Sequence, residues 1–189
     1  HFIPIGLRQE FISEAKTRYH FTSAEHIEPL ILPRPRFAHK GIYGHALLFA
    51  GGKGKMGAAV LAAQAALRSG CGLVTVHTPD KRAQIIQSSV PEAMVSIDPH
   101  IECISTLPDI SGYTSIAAGP GCGTHIKTAK VLKNLIQNSQ VPLVLDADAL
   151  NIIAENKTWL AFLPKNSILT PHIGEFKRLN GDSKNDFER

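Results

Sequence analysis

The chain is poor in cysteine, with three in 189 residues: Cys71, Cys103 and Cys122. Their number is odd and none lies at a metal-binding spacing. That opposes a disulfide framework and favours a reducing compartment, so the cytoplasm is the expected location. Also missing is any uninterrupted apolar run of about 18 residues, so no membrane-spanning helix is expected. The first residues lack the basic-then-apolar order of a secretory signal. No run of basic residues alternates with aromatics. The net charge of +4 is scattered over positions such as Lys53, Lys55, Arg68, Lys81, Arg82, Lys127, Lys130 and Lys133. Nucleic acid is therefore a poor partner, whereas small anionic ligands suit dispersed positive charge. What the chain does have is 43% apolar and 19% charged residues, the balance of a globular protein. Its length suits one domain with little left for a second.

The first 38 residues differ from the rest. A short apolar piece at His1–Gly6 leads into a mixed stretch ending near His20. Thr22-Ser23-Ala24-Glu25 reads as a helix start, with Thr22 as N-cap and Glu25 three residues on. Pro29, Pro33 and Pro35 read as an extended linker. The compact domain is expected to begin near His39 and to run to the last residue. From there strands and helices alternate. Strands are expected at Ala46–Ala50, Leu73–His77, Met94–Ile97, Ser115–Ala118, Leu143–Asp146 and Ser167–Thr170. Helices are expected at Ala58–Ser69, Lys81–Ser88, His125–Asn138, Ala149–Ala154 and from Gly174 to Leu179. Most strands are continuous apolar runs, the mark of burial on both faces. The repeated strand–helix–strand order predicts an α/β fold with a parallel sheet between two helical layers.

Four loops follow strand ends, where doubly wound sheets bind ligands. In the first, Gly52, Gly54 and Gly57 satisfy G-x-G-x-x-G between a strand and a helix. The acid that should close the next strand and hold a ribose is missing, since that strand ends Val76-His77-Thr78-Pro79. The P-loop spacing also fails, because Ala58 and Ala59 stand where Lys and Ser or Thr must be. What remains is a glycine backbone at a helix start, suited to an anion. The second loop, Gly119-Pro120-Gly121-Cys122-Gly123-Thr124-His125, bares backbone N–H groups in the same way. No base accompanies Cys122, which reads as a small buried hydrophobe, and His125 serves at the helix start. The third carries Asp146 and Asp148. One would cap the helix and the other would act on a ligand, through a hydroxyl or water-held Mg²⁺; the residues leave open which does which. The fourth is Thr170-Pro171-His172-Ile173-Gly174-Glu175, with His172 at the turn. Gly52, Gly57 and Gly123 are the phosphate candidates, joined by Asp146 and Asp148. No metal-ligating cluster and no Ser/His/Asp set is assigned.

In this order the motifs resemble a known family. His39-Lys40-Gly41-Ile42-Tyr43-Gly44, Ala50-Gly51-Gly52 with Gly57-Ala58, and Gly119-Pro120-Gly121-Cys122-Gly123 come first. Leu145-Asp146-Ala147-Asp148-Ala149-Leu150-Asn151 and Leu169-Thr170-Pro171-His172-Ile173-Gly174-Glu175-Phe176 follow. Together they are similar to the ribokinase-like domain of ADP/ATP-dependent NAD(P)H-hydrate dehydratases. The resemblance implies a ribokinase-like three-layer αβα sandwich, incomplete at its C-terminal end. It implies a lyase of metabolite repair. ATP or ADP, with Mg²⁺, would phosphorylate the hydroxyl of hydrated NADH or NADPH, and loss of phosphate would restore the double bond. Ala58, Gly121 and His172 match the family's substrate contacts. The family's nucleotide-phosphate loop, Asn-x-Gly-Thr-Gly-Asp or similar, holds the catalytic base; that aspartate is expected beyond Arg189, so a fragment without it would be incomplete. Residues 1–20 resemble the tail of an NAD(P)H-hydrate epimerase domain, with 21–38 as linker and 39–189 as the dehydratase part. Fusion to such a domain and a homo-oligomeric state are implied. A sugar or hydroxymethyl kinase of the same superfamily, or a non-catalytic nucleotide-binding module, are the alternatives.

Overall fold

The computed structural model describes residues 5–16, 22–31, 33–182 and 185. The chain divides into two compact units, His1–Ala38 and His39–Arg189. Residues 1–4 and 17–20, part of the stretch likened to an epimerase tail, and residue 21 of the linker lie outside the described residues.

In the first unit, helix α1 spans Gln9–Glu14 and α2 spans Ala24–Ile27, followed by a 3₁₀ turn at Glu28–Leu30. The expected cap at Thr22 is displaced by one residue. Ser23 is the N-cap of α2, and His26 Nδ1, not Glu25, accepts the Ser23 backbone N–H at 3.3 Å. The extended linker is also shorter than expected. Pro29 opens the 3₁₀ turn, where its missing N–H leaves no bond unmade.

The second unit is a parallel sheet wound in both directions from its first strand. The strands are β1 (His45–Phe49), β2 (Leu73–Pro79), β3 (Met94–Asp98), β4 (Ser115–Ala118), β5 (Leu143–Leu145) and β6 (Ile168–Leu169). Their spatial order is β3-β2-β1-β4-β5-β6, every pair parallel. Order therefore reverses between β1 and β4, the crevice where such sheets take ligands. The helices are α3 (Met56–Arg68), α4 (Ala83–Ser89), α5 (Ile126–Asn138), α6 (Ala147–Glu155) and α7 (Ile173–Asn180).

Alternation within β1 explains the two layers. Leu47 and Phe49 join a core with β4, β5, α5 and α6, including Leu135, Leu145, Leu150 and Ile153. Ala46 and Leu48 face the other way, toward α3 and α4, with Ala59, Ala63, Val74 and Ile86. The small residues of α3 allow the close approach expected of them: Ala59 and Ala63 are fully buried. Beside α3 the sheet surface over β4 and β5 is an open groove of about 380 Å³, with Ala117 and Val144 in its floor. Among the described residues no helix is long and apolar enough to cross a membrane.

Element boundaries shift by at most two residues from expectation. Helix α3 starts at Met56, so Gly57 belongs to its first turn and not to the loop. Helix α6 starts at Ala147, which places Asp148 inside the helix. Two 3₁₀ segments, Lys40–Tyr43 and Lys157–Phe162, had no periodic signal to mark them.

Candidate functional site

Register aligns the loops. Phe49 pairs with Ala118, Ala118 with Leu145, and Leu145 with Leu169, so β1, β4, β5 and β6 end in one row. The segments after them start from the same rim.

At the strand-order reversal the two glycine loops touch. The Gly51 N–H donates to Pro120 O at 2.9 Å, and Ala50 and Gly119 are anchored on the neighbouring strands. A Cβ added at Gly52 would lie 2.8 Å from Gly121 O; one added at Gly121 would lie 2.7 Å from Lys55 O and 3.4 Å from the Ala58 methyl. Gly121 also has φ +67°, a region L side chains rarely adopt. Ala58 and Gly121 are thus direct neighbours where the two glycine loops pack together. Gly57, by contrast, has open space around its missing side chain. Its phosphate role gains no steric support from the fold.

The capping role expected of one of the two aspartates does not occur. Asp146 occupies the N-cap position of α6, yet its side chain caps nothing. Its Oδ1 accepts from Thr170 Oγ1 at 2.9 Å, joining the third loop to the fourth. Asp148 does not cap either. Its Oδ2 accepts from the Gly123 N–H at 2.9 Å and from Lys55 Nζ at 3.0 Å. One oxygen of each carboxylate holds loops together, and Ala147 between them turns into the left-handed region at φ 47°. Such a non-glycine turn costs about 1–3 kcal/mol and persists only where its surroundings fix it. Among the described residues no group of three or more His, Cys, Asp or Glu side chains is placed to hold a metal.

His172 is the N-cap of α7. Its Nδ1 accepts from the N–H groups of Gly174 and Glu175, at 3.0 and 3.4 Å. Glu175, buried, returns the favour: Oε2 accepts from the His172 N–H at 3.0 Å, and Oε1 lies 3.3 Å from Nε2. Both ring nitrogens are thus engaged, which makes Nε2 the protonated one. The ring still stands in solvent, 68% exposed. Among the described residues no hydrogen bond or ion pair joins it to Ala58 or Gly121.

His125 is the N-cap of α5, as expected, accepting from the Lys127 N–H at 3.2 Å. Cys122 behaves as a core residue: it is 5% exposed, and burial pushes its thiol up to about 12, with nearby Asp148 adding to the effect. It stays protonated and unreactive.

One buried cluster escaped sequence reasoning. Asp98, fully buried at the end of β3, accepts from the backbone of His100, Ser105 and Thr106 and from both hydroxyls of Ser105 and Thr106, all within 3.0 Å. Burial alone would raise its pKa; those donors outweigh it and hold the carboxyl far below its usual range. His77 Nε2 donates to the same carboxylate at 3.2 Å, and Ser96 Oγ meets Nδ1 at 2.9 Å. Burial keeps His77 neutral, with Asp98 only partly opposing it. The cluster pins the segment from β3 toward β4.

The family model for NAD(P)H-hydrate dehydratase matches residues 46–188. The bifunctional NAD(P)H-hydrate repair enzyme Nnr of Coxiella burnetii is 38% identical over 186 residues, covering 98% of this chain and 36% of that protein. A ribokinase-like superfamily protein from Enterococcus faecalis superposes with a TM-score of 0.72 at 25% identity, over 87% of this chain and 59% of the other. The ADP/ATP-dependent NAD(P)H-hydrate dehydratase of Bacillus subtilis, co-crystallised with ATP and Mg²⁺, gives 0.67 at 31% identity, over 83% and 54%. The chain thus spans about a third of the bifunctional relative and just over half of the solved chains.

Proposed function

The chain belongs to the NAD(P)H-hydrate dehydratase family, and on that premise we propose that it forms the substrate-binding part of an ATP- or ADP-dependent dehydratase acting on hydrated NADH and NADPH. The observation that carries this reading is the contact of the two glycine loops at the strand-order reversal, with Ala58 against Gly121. A site walled by main chain lets a large planar ligand approach closely and offers it N–H groups.

In this reaction the nucleotide, with Mg²⁺, would supply the phosphoryl group to the added hydroxyl, and departure of phosphate would restore the ring double bond. The residues described here bind and orient. Gly121 and Ala58 form the floor for the hydrated ring. His172, both of whose nitrogens are engaged within its own helix turn, meets the ring through its face and not through a free donor. Glu175 fixes that face. Lys55, Asp148 and Asp146 keep the loops in register. No general base is assigned among the described residues, and no step is routed through a metal.

Residues 1–38 would be the tail and linker of an epimerase-like domain. The match to the bifunctional relative runs over 98% of the chain and so takes in most of that first unit. A homo-oligomer and a cytoplasmic location complete the proposal.

The direct test follows recovery of NADH absorbance while the intact protein acts on hydrated NADH with ATP or ADP. Nucleotide-dependent recovery is the expected result. No recovery with either nucleotide would sink the lyase reading.

A further inference from the structure

A cleft of about 260 Å³ opens beside Gly121 between the two glycine loops and the segment after β3. His100, His125, Lys53 and Lys55 line it, with Glu102 as the only carboxylate on its wall among the described residues.

The two imidazoles are set alike. His100 Nδ1 accepts from the N–H groups of Glu102 and Cys103, at 3.2 and 3.3 Å. His125 Nδ1 accepts from the Lys127 N–H. Buried Cys103 sits between them, its Sγ 3.3 Å from one Nδ1 and 3.5 Å from the other. Burial raises the pKa of that thiol, so it remains S–H and donates to one of the rings. With both Nδ1 atoms serving as acceptors, each ring carries its proton on Nε2. Among the described residues neither Nε2–H has a protein acceptor. The rings lie side by side, centroids 6.2 Å apart. Lys53, 79% exposed, pairs only loosely with Glu102 at 3.6 Å. The cleft therefore presents two imidazole donors and an ammonium, while its one acid is partly neutralised. That set suits a compact anion.

We propose that this cleft binds a phosphoryl group of the dinucleotide substrate, with the Nε2–H groups of His100 and His125 and the ammonium of Lys53 as donors. Cys103 is the positioning residue that lies against both rings and holds them 6.2 Å apart. This inference rests on the dinucleotide reading above. Gly121 is the link between the two, since it borders both the Ala58 contact and the cleft. A dinucleotide lying across the glycine wall has two phosphoryl sources within its length: the pyrophosphate, present in both coenzymes, and the 2′-phosphate, present only in NADPH.

The test is calorimetric titration of the 189-residue chain with NADPH and with NADH. It compares wild type, the double variant His100→Asn/His125→Asn, and Lys53→Met. Asparagine keeps a short polar group for the backbone N–H groups that each ring caps, and it removes the outer donor. Lys53 is a surface side chain, so its replacement leaves the fold intact even where the double variant does not. Loss of about tenfold in NADPH affinity, with NADH unchanged, assigns the cleft to the 2′-phosphate; equal loss for both assigns it to the pyrophosphate. Wild-type affinity retained by all variants overturns the cleft and leaves the substrate reading standing. A wild-type chain that binds neither coenzyme overturns both.

Discussion

Lys55 Nζ and Asp148 Oδ2 meet at 3.0 Å although 93 positions separate them in sequence. The same oxygen takes the Gly123 N–H. One carboxylate thereby fastens the loop after β1 and the loop after β4 to the first turn of α6. This arrangement keeps Ala58 and Gly121 in contact.

Its two bonds differ in strength. The lysine is 55% exposed, so the ion pair contributes at most about 1 kcal/mol, and Lys55→Ala should cost no more. Asp148→Ala leaves the Gly123 N–H without its charged acceptor and should cost about 1–3 kcal/mol. Asp148→Asn should fall between the two. Urea unfolding of the three variants gives the ranking, and equal losses for Lys55→Ala and Asp148→Ala would contradict it.

Two glycines separate by backbone demand. Gly121→Ala drives a methyl to 2.7 Å from Lys55 O at a positive φ. It should cost about 2 kcal/mol or more and abolish coenzyme binding. Gly57→Ala meets nothing within 4 Å inside a helix. It should be neutral or stabilising by up to about 1 kcal/mol. Thermal melts with paired coenzyme titrations decide whether that contrast holds.

His172 has a capping role that must be removed from any reading of its substrate role. His172→Ala should cost about 1 kcal/mol through loss of the cap. His172→Asn should restore that stability, because asparagine caps well. Affinity for hydrated NADPH should fall in both variants. Recovery of affinity along with stability in the asparagine variant would reduce His172 to a structural cap.

Acid should destabilise the second unit in two steps. His77 has its folded pKa below the ordinary 6.5, so the unfolded chain binds the proton first and stability falls as pH drops below about 6.5. Asp98 has its folded pKa far below 3.8, and a second loss follows as pH falls beneath that value. Unfolding free energies across pH 3–7, measured on wild type and Asp98→Asn, should show the lower step flattened in the variant. A wild-type stability that is level from pH 7 down to 5 would contradict the His77 part.

The parallel sheet and its helices were readable because continuous apolar runs and glycine punctuation are local signals. So was the rim: Gly121, Asp146, Asp148 and His172 all follow strand ends. Roles were not readable where a partner lies far along the chain. Asp148 resembles a helix-capping acid in its own neighbourhood, and only Gly123, 25 positions away, shows otherwise. Asp98 and His77, 21 positions apart, carry no shared motif. Cys103 gave no hint of the two histidines it joins, since only the loop path brings His125 to it. The one-residue error at Thr22 is of another kind: Thr22 and Ser23 are both good caps, and the side chain of His26 settled the choice.

The inner wall of the site has no side chains to exchange. A methyl at Gly52 or Gly121 would strike the opposite loop's carbonyl oxygen, so mutation there can break the wall but cannot retune it. Change is tolerated at the margin instead, at a position such as Lys53, whose side chain is 79% exposed and holds only a loose ion pair.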